Sequence, residues 1–310
     1  MRETAIAVSG LRKAFGDKVV LDGIDLEVPA GTIFSLLGPN GAGKTTTVNV
    51  LTTLMEADGG TASVGGHDVA GATKEVRKVI GVTGQFAAVD ELLTGYENLE
   101  LMADLRRVKN GKQVVEGLLE RFELVESAQK PVATYSGGMK RKLDLAMTLV
   151  GEPRIIFLDE PTTGLDPRSR RTMWAIIREL VADGVTIFLT TQYLEEADQL
   201  ADLVAVLDQG KLVAQGTPAE LKRLIPGTHV RLKFTDMQQL EAAAQLFQDA
   251  TRDDDNLVLQ VPSDAGTQSL RALLDRLDEY ALSAEEFSVH TPDLDDVFLA
   301  LTGHPTEVAK

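Results

Sequence analysis

The segment Gly38-Pro39-Asn40-Gly41-Ala42-Gly43-Lys44-Thr45-Thr46 is the most informative stretch of the chain. Two glycines bracket four residues, Lys and Thr follow, and an apolar strand pattern over 33–37 comes directly before. The glycines let backbone N–H groups turn inward around a phosphate, and a helix starting near Lys44 directs its positive dipole end there. The segment therefore predicts a nucleotide phosphate site in which Lys44 neutralises charge and Thr45 holds Mg²⁺.

A second element, Arg154-Ile155-Ile156-Phe157-Leu158-Asp159-Glu160, is an apolar strand pattern that ends in two carboxylates. Asp159 follows Lys44 by 115 residues (159 − 44). Ligands of open α/β sheets collect at the carboxyl ends of strands. We expect Asp159 to reach Mg²⁺ and Glu160 to orient or deprotonate an attacking water. The two elements together predict the core of a nucleoside triphosphate hydrolase.

The surrounding chain suits an α/β core. Short apolar runs such as 185–189 and 203–207 alternate with helical patterns, which is typical of a parallel sheet covered by helices. Between about 86 and 150 apolar residues recur at helical spacing instead, which predicts an inserted helical subdomain. Within it, Ser136 followed by Gly137 and Gly138 predicts a capped helix and a second anion site.

Length and charge indicate a second domain. A chain of 310 residues exceeds what one hydrophobic core usually organises. Pro226-Gly227 interrupts the pattern, so we predict an ATPase-type domain over 1–227 and a small α+β domain over 228–310. The second segment holds 16 acidic and 6 basic residues, and its triplet Asp253-Asp254-Asp255 is expected in a solvated turn.

Composition excludes several classes of function. The chain has 31 basic and 47 acidic residues, and its net charge of −16 would repel a nucleic acid backbone. It has no cysteine, which excludes disulfides, thiolate metal sites and a Cys nucleophile. No apolar run approaches the roughly 18 residues of a spanning helix, and the first residues lack a secretory signal pattern. We expect a cytosolic protein without a nucleic acid partner.

These motifs in this order resemble the ATP-binding subunit of an ABC transporter over residues 4–225, with an ABC ATPase core of the P-loop NTPase fold. Gly38 to Thr46 resembles its Walker A loop, Asp159 and Glu160 its Walker B pair, and Asp166 lies in a D-loop-like Gly164-Leu165-Asp166. The resemblance further identifies Phe15 as the aromatic that stacks on adenine, Gln85 as the Q-loop glutamine at the γ-phosphate and Mg²⁺, and Tyr135 to Met139 as the signature.

In this family two ATPase subunits form a head-to-tail dimer in which Walker A of one and the signature of the other enclose each ATP. Together with Gly84 to Asp90 and the stretch 292–299, the chain is similar to the daunorubicin-resistance type of exporter. The resemblance implies a homodimer, ATP and Mg²⁺ as cofactors, a separate integral membrane permease, and a peripheral location on the cytoplasmic side. The cargo would be a drug, an antibiotic or a complex lipid.

The chain departs from the family at three positions. Tyr135 and Met139 replace the usual Leu and Gln of the signature, and Gln192 stands where a switch histidine is usual. Gln192 can hydrogen-bond a γ-phosphate but carries no proton charge, so we group it with Glu160 and Gln85 as catalytic candidates.

Two alternatives remain open, a soluble ABC protein that acts on DNA or ribosomes and a P-loop kinase. The short distance between the Walker motifs and the acidic tail disfavour the first, and the signature disfavours the second. Two charged clusters receive structural interpretations. Lys140-Arg141-Lys142 is expected on a solvated face, and Glu195, Glu196 and Asp198 are expected near the start of a helix as favourable partners of its dipole.

Overall fold

The computed structural model describes residues 3–225, 228–263, 266–290 and 293–303. The chain forms two compact units, Met1–Pro218 and Ala219–Lys310. The interruption at Pro226-Gly227, on which the predicted boundary rests, lies outside the described residues. The compact units divide earlier than that, at Pro218.

The elements of the first unit follow each other in a mixed α/β order. Its strands are β1 (Thr4–Phe15), β2 (Lys18–Pro29), β3 (Ile33–Leu37), β4 (Gly59–Val64), β5 (His67–Asp68), β6 (Ile80–Thr83), β7 (Ile155–Asp159), β8 (Thr186–Thr191), β9 (Leu203–Asp208) and β10 (Lys211–Gly216). Its helices are α1 (Lys44–Leu51), α2 (Thr73–Val79), α3 (Gly95–Arg106), α4 (Gly111–Arg121), α5 (Gly137–Leu149), α6 (Pro167–Ala182) and α7 (Leu194–Leu200). Helix α8 (Pro218–Lys222) begins where the first unit ends.

A six-stranded sheet of order β10-β9-β3-β8-β7-β6 forms the centre of this unit. β6, β7, β8, β3 and β9 are parallel, and β10 pairs antiparallel with β9. Leu37 aligns with Thr191, and Asp159 aligns with Thr190. The loops that begin at Gly38, Glu160 and Gln192 therefore leave the sheet at one edge, which is where ligands bind in open α/β sheets.

Both faces of this sheet are covered, which explains why its strands read as continuous apolar runs. Ile156 and Leu158 of β7 point into one core, shared with α3 to α6. The alternating neighbours Ile155 and Phe157 point into a second core, shared with β1, β2 and α1. The phenyl rings of Phe34 and Phe188 stack in the second core with centroids 5.3 Å apart. The predicted α/β core is confirmed.

A four-stranded antiparallel sheet of order β2-β1-β4-β5, which the sequence patterns did not indicate, packs over the second core.

The inserted helical subdomain consists of α3, α4, two short 3-10 turns (Val125–Ser127 and Val132–Thr134) and α5. Thr94 starts α3 with a capping box in which its hydroxyl accepts from Glu97 N. Among the described residues no helix combines the length and apolarity that a bilayer crossing requires.

The second unit is an antiparallel sheet with helices, as the α+β prediction requires. Its elements are β11 (His229–Lys233), α9 (Met237–Leu246), β12 (Thr251–Asp253), β13 (Val258–Pro262), α10 (Thr267–Glu279), β14 (Glu286–His290) and α11 (Leu294–Thr302). The strand order is β12-β13-β11-β14, and Leu232, Phe234, Leu240 and Leu259 lie in its core. Asp253 ends strand β12 and only Asp254 and Asp255 occupy the turn, which corrects the prediction for that triplet. Pro292, quoted above in the stretch 292–299, lies outside the described residues.

Candidate functional site

The loop between β3 and α1 is built by its glycines. Gly41 and Gly43 have φ angles of 80° and 112°, a region that favours glycine. A Cβ on Gly43 would also lie 2.7 Å from Leu21 Cδ2 and 2.9 Å from the Val20 carbonyl oxygen. Ala42 N donates to the Pro39 carbonyl at 3.3 Å and closes the turn. The loop therefore takes a shape that presents backbone N–H groups at the start of α1.

Lys44, the first residue of α1, lies inside this loop. Its Nζ donates to the carbonyl oxygens of Gly38 at 2.7 Å and Pro39 at 3.1 Å, and lies 3.3 Å from Glu160 Oε1. Only 5% of its side chain is exposed. Burial lowers the pKa of the Lys44 ammonium, and the neighbouring Glu160 carboxylate opposes that shift.

The two carboxylates at the end of β7 have different surroundings. Asp159 Oδ1 accepts from the Thr190 hydroxyl on β8. Glu160 has a φ of 50°, which is rare for a residue other than glycine. Its N–H donates to the Thr190 carbonyl and hydroxyl oxygens, both at 3.1 Å, and its Oε2 accepts from the Thr163 hydroxyl at 3.2 Å. The backbone turn directs Glu160 toward the ammonium of Lys44.

A cavity of about 270 Å³ lies over the loop and brings together many of the residues that the motifs predicted. Its predicted lining residues are Asn40, Gly41, Gly43, Lys44, Thr45, Thr46, Gln85 and Glu160. Lys18 and Val20 at the start of β2 also line it, although the motifs did not predict them. In the sequence, only their position shortly after Phe15 gave a weak indication that these two residues line the site.

Other predicted residues lie outside this lining. Phe15 ends β1 with half of its surface exposed, and Lys13 Nζ lies 5.7 Å from its ring centroid. Gln192 is half-buried after β8, and Asp159 is buried beneath the Glu160 turn. The side-chain oxygens of Thr45, Gln85 and Asp159 are a donor set that suits Mg²⁺, and the exposed hydroxyl of Thr45 is accessible from the cavity.

The predicted signature lies at the start of helix α5. Ser136 is its N-cap and accepts from Met139 N at 3.3 Å, which confirms the predicted cap, and Ser136 and Gly137 are exposed. A Cβ on Gly138 would lie 2.7 Å from Ser169 Oγ of α6, so a larger residue here would displace the Ser169 side chain. None of the described residues that line the cavity belongs to the signature.

Asp166 caps α6 and accepts from the N–H groups of Arg168 and Ser169, each at 3.0 Å. The Ser169 hydroxyl also donates to Asp166 and contributes most to holding the pKa of this carboxyl below its usual range. The N–H groups of Ser169 and Arg168 lower the pKa further. The Asp166 carboxylate, which the sequence predicted to lie in a D-loop, is therefore charged at neutral pH. It lies at the start of the helix that packs against Gly138.

Glu195 and Glu196 lie in the first turn of α7, as predicted for dipole partners, whereas the predicted solvated face over 140–142 is wrong at Arg141. Arg141 is 6% exposed, and instead of facing solvent it donates hydrogen bonds to carbonyl oxygens of the Gln85 and Glu160 loops. Glu196 is fully buried, and its Oε1 accepts from Thr162 Oγ1 at 2.8 Å and Trp174 Nε1 at 3.0 Å. Burial raises the pKa of the Glu196 carboxyl. The charge of the segment 140–142 suggested exposure, whereas the carbonyl partners of Arg141 make its burial possible.

The parallel sheet, the phosphate loop and the strand-end carboxylates define a P-loop NTPase, and comparison with known proteins identifies it as an ABC-type ATPase. Residues 21–163 match the family model described as "ABC transporter", and residues 216–302 match "ATP-binding protein DrrA1-3-like, C-terminal domain". A solved structure described as the ATP binding subunit of an ABC transporter superposes with a TM-score of 0.65 at 29% identity, covering 71% of this chain and 93% of that chain.

Curated relatives show which group of ABC transporter ATP-binding subunits this chain resembles. A daunorubicin resistance ATP-binding protein of Streptomyces coeruleorubidus is 47% identical over 99% of both chains. A daunorubicin/doxorubicin resistance ATP-binding protein of Streptomyces peucetius is 47% identical over 98% of this chain and 94% of that protein. The chain belongs to this DrrA-like family of ABC transporter ATP-binding subunits, which bind and hydrolyse ATP. These relatives give no support to the alternative of a DNA- or ribosome-acting protein.

Proposed function

We propose that two copies of this chain form an ATP-driven motor that exports a drug, an antibiotic or a complex lipid through a separate integral membrane permease. The observation that carries the proposal is the division of the anion-binding elements. The cavity over the phosphate loop holds Lys44 and Glu160, while Ser136 and Gly137 are exposed elsewhere and do not line it. A second copy placed head-to-tail would supply its signature to the open side of each cavity.

Within one cavity the residues have distinct roles in this proposal. The N–H groups of residues 38–46 cradle the phosphates, and Lys44 neutralises the β- and γ-phosphate charge. Thr45, Asp159 and Gln85 would hold Mg²⁺, which when bound neutralises further charge on those phosphates. Phe15 stacks on the adenine from the edge of the site.

Hydrolysis requires a positioned water. Glu160 is the general base, because its carboxylate faces the Lys44 ammonium at 3.3 Å and so lies beside the expected γ-phosphate. Gln192 and Gln85 bond the γ-phosphate, and Gln192 does so without a change of charge. From the partner copy, Ser136, Gly137 and Gly138 add N–H and hydroxyl donors, and Asp166 lies beside them at the dimer contact.

ATP binding would close this dimer and hydrolysis would reopen it. The helical subdomain that follows Gln85 would transmit the motion to the membrane. It exposes large apolar side chains, with Phe86 85% exposed, Leu92 90% and Leu105 70%. Such exposed apolar groups are typical of protein interaction sites. We propose that the permease contacts them and so holds the subunit at the cytoplasmic face of the membrane as a peripheral protein.

Attachment through protein contacts also agrees with the charge of the chain. A net charge of −16 disfavours adhesion to anionic lipid and to nucleic acid. Affinity purification of the tagged chain from detergent-solubilised membranes tests the proposal. We expect an integral membrane protein to co-purify, and cells producing both proteins to accumulate less daunorubicin than cells with a Lys44→Ala subunit. Co-purification of ribosomes without a membrane protein would contradict it.

A further inference from the structure

Helix α5 carries a buried ion pair one turn after the signature. Arg141 and Asp144 have 7% and 4% of their side chains exposed, and Arg141 Nη1 lies 3.4 Å from Asp144 Oδ2. A guanidinium keeps its charge in proteins, so its burial has to be offset by the groups that it contacts. Both residues are therefore committed to specific partners.

The partners of Arg141 lie on two different loops of the nucleotide site. Nη1 donates to the Gly84 carbonyl oxygen at 2.6 Å, directly before Gln85. Nε donates to the Pro161 carbonyl at 2.9 Å, and Nη2 to the Asp159 carbonyl at 3.2 Å, on either side of Glu160. The planar fork of one guanidinium thus fixes the distance between the two loops.

Asp144 fixes the other side of the Gln85 loop. Its Oδ1 accepts from Ala88 N at 3.1 Å. Gln85 is exposed between the two anchored residues Gly84 and Ala88, so its backbone is constrained while its side chain reaches the cavity. The two charged residues of α5 therefore bracket Gln85.

The Glu160 turn needs such support. With a φ of 50° the Glu160 backbone occupies a sparsely populated conformation, which persists only when its surroundings hold it. The N–H of Glu160 donates to the Thr190 hydroxyl, and Arg141 Nη2 donates to the Glu160 carbonyl oxygen at 3.4 Å. A shift of α5 would thus release the turn that directs the base.

We propose that Arg141 and Asp144 are positioning residues that couple the signature helix to Gln85 and Glu160 of the same chain. The inference rests on the proposed function, because Ser136 at the start of α5 is assigned there to the nucleotide held by the partner copy. When that nucleotide fixes Ser136, α5 holds the two loops in working geometry. Nucleotide bound at one site of the dimer thereby positions Gln85 and Glu160 at the other site.

The test compares Arg141→Lys with the parent in the full-length chain. Lysine keeps the buried cation but offers a single nitrogen, which cannot bond Gly84 and Pro161 in the same geometry. We expect kcat to fall roughly 10- to 100-fold, since a misplaced catalytic group costs rates of this order. The equilibrium Kd of a fluorescent ATP analogue should change less than twofold, because Lys44 and its loop are untouched.

Lys142→Gln is the matched control. It removes a cation one residue along α5 whose partner Glu123 is 79% exposed, and its turnover should stay within about twofold of the parent. Asp144→Asn, which keeps an acceptor for Ala88 N but loses the charge, should lower kcat with an unchanged Kd. If Arg141→Lys shows no cooperative thermal transition, and so does not fold, Asp144→Asn tests the proposal in its place.

Native turnover in Arg141→Lys would overturn the inference. An equal loss of kcat and of nucleotide-binding capacity would also overturn it, because that result marks general destabilisation. Glu160→Gln, measured in parallel, tests the assignment of the base separately. If that variant turned over at the native rate, the proposed function would fail irrespective of the result at Arg141.

Discussion

The ammonium nitrogen of Lys44 lies 3.3 Å from Oε1 of Glu160, and the two side chains are 5% and 8% exposed. The cation assigned to the phosphates and the carboxylate assigned to the attacking water are thus in direct contact. A buried ion pair of this kind leaves an uncompensated charge when one partner is removed. Removal of Lys44 would therefore leave the Glu160 carboxylate buried without its cation, and removal of Glu160 would do the same to the Lys44 ammonium.

Replacement of Glu160 by Gln should abolish turnover and preserve ATP binding. The amide keeps the size of the side chain but cannot accept a proton, and general base catalysis typically contributes 10²- to 10⁴-fold in rate, so we expect a loss on the order of 10²-fold or more. With Mg²⁺ and ATP the variant should accumulate as a dimer in size-exclusion chromatography. Glu179→Gln, on an exposed position of α6, is the matched control and should behave like the parent. Native turnover in Glu160→Gln would show that another group is the base.

Phe15 provides a test of the adenine side of the site. It is half exposed at the end of β1, where a base can stack on it. Phe15→Ala should raise the Kd for ATP about tenfold or more, because stacking of a base on an aromatic ring contributes about 1–3 kcal/mol. Turnover at saturating ATP should stay close to the parent, and Phe15→Trp should restore affinity. Val19→Ala, which truncates another exposed apolar side chain nearby, is the control. An unchanged Kd in Phe15→Ala would remove Phe15 from the nucleotide site.

The buried carboxyl of Glu196 should make the free energy of unfolding depend on pH. Burial raises the pKa of its carboxyl above the ordinary value of 4.5. Between that value and the raised one, the folded chain binds a proton that the unfolded chain does not, so this contribution to stability is present at low pH and is lost as pH rises. The thermal midpoint of the parent relative to Glu196→Gln should therefore decrease from about pH 4.5 upward. A difference that stays constant with pH would show that the carboxyl is not perturbed.

Parts of the molecule with local signals could be predicted from the sequence. The strands β3 and β7 read as apolar runs because both faces of their sheet are buried, and the loops after them carry Lys44 and Glu160 at fixed positions. Ser136 was predictable as a cap because capping is local. Strands β1 and β2 were not, since their mixed burial along 12 residues gives no clean period.

The buried charges required the structure. Arg141 and Glu196 sit in stretches that look like ordinary surface charge, and their burial depends on carbonyl oxygens and a Trp indole from distant segments. The spacing of Arg141 and Asp144 at i and i+3 was the one available signal. A pair at that spacing is commonly a surface pair, so only its three-dimensional partners reveal that it joins two loops of the site.

In the proposed dimer each ATP is enclosed by Lys44 of one chain and Ser136 of its partner. Complementation between two inactive variants tests it directly. Lys44→Ala removes the phosphate cation, and Ser136→Asp keeps a good helix cap while it directs a carboxylate at the partner's phosphates. Each variant alone should be inactive, with Ser136→Asp retaining the thermal stability of the parent.

A one-to-one mixture of the two variants is the decisive measurement. Half of its dimers would pair the variants, and each mixed dimer would contain one site with an intact Lys44 and an intact Ser136. The mixture should regain a measurable ATPase rate of at most about a quarter of the parent rate, because the second site of each mixed dimer lacks both groups and cannot prepare the first. A mixture that stays as inactive as the separate variants would contradict a site shared between two chains.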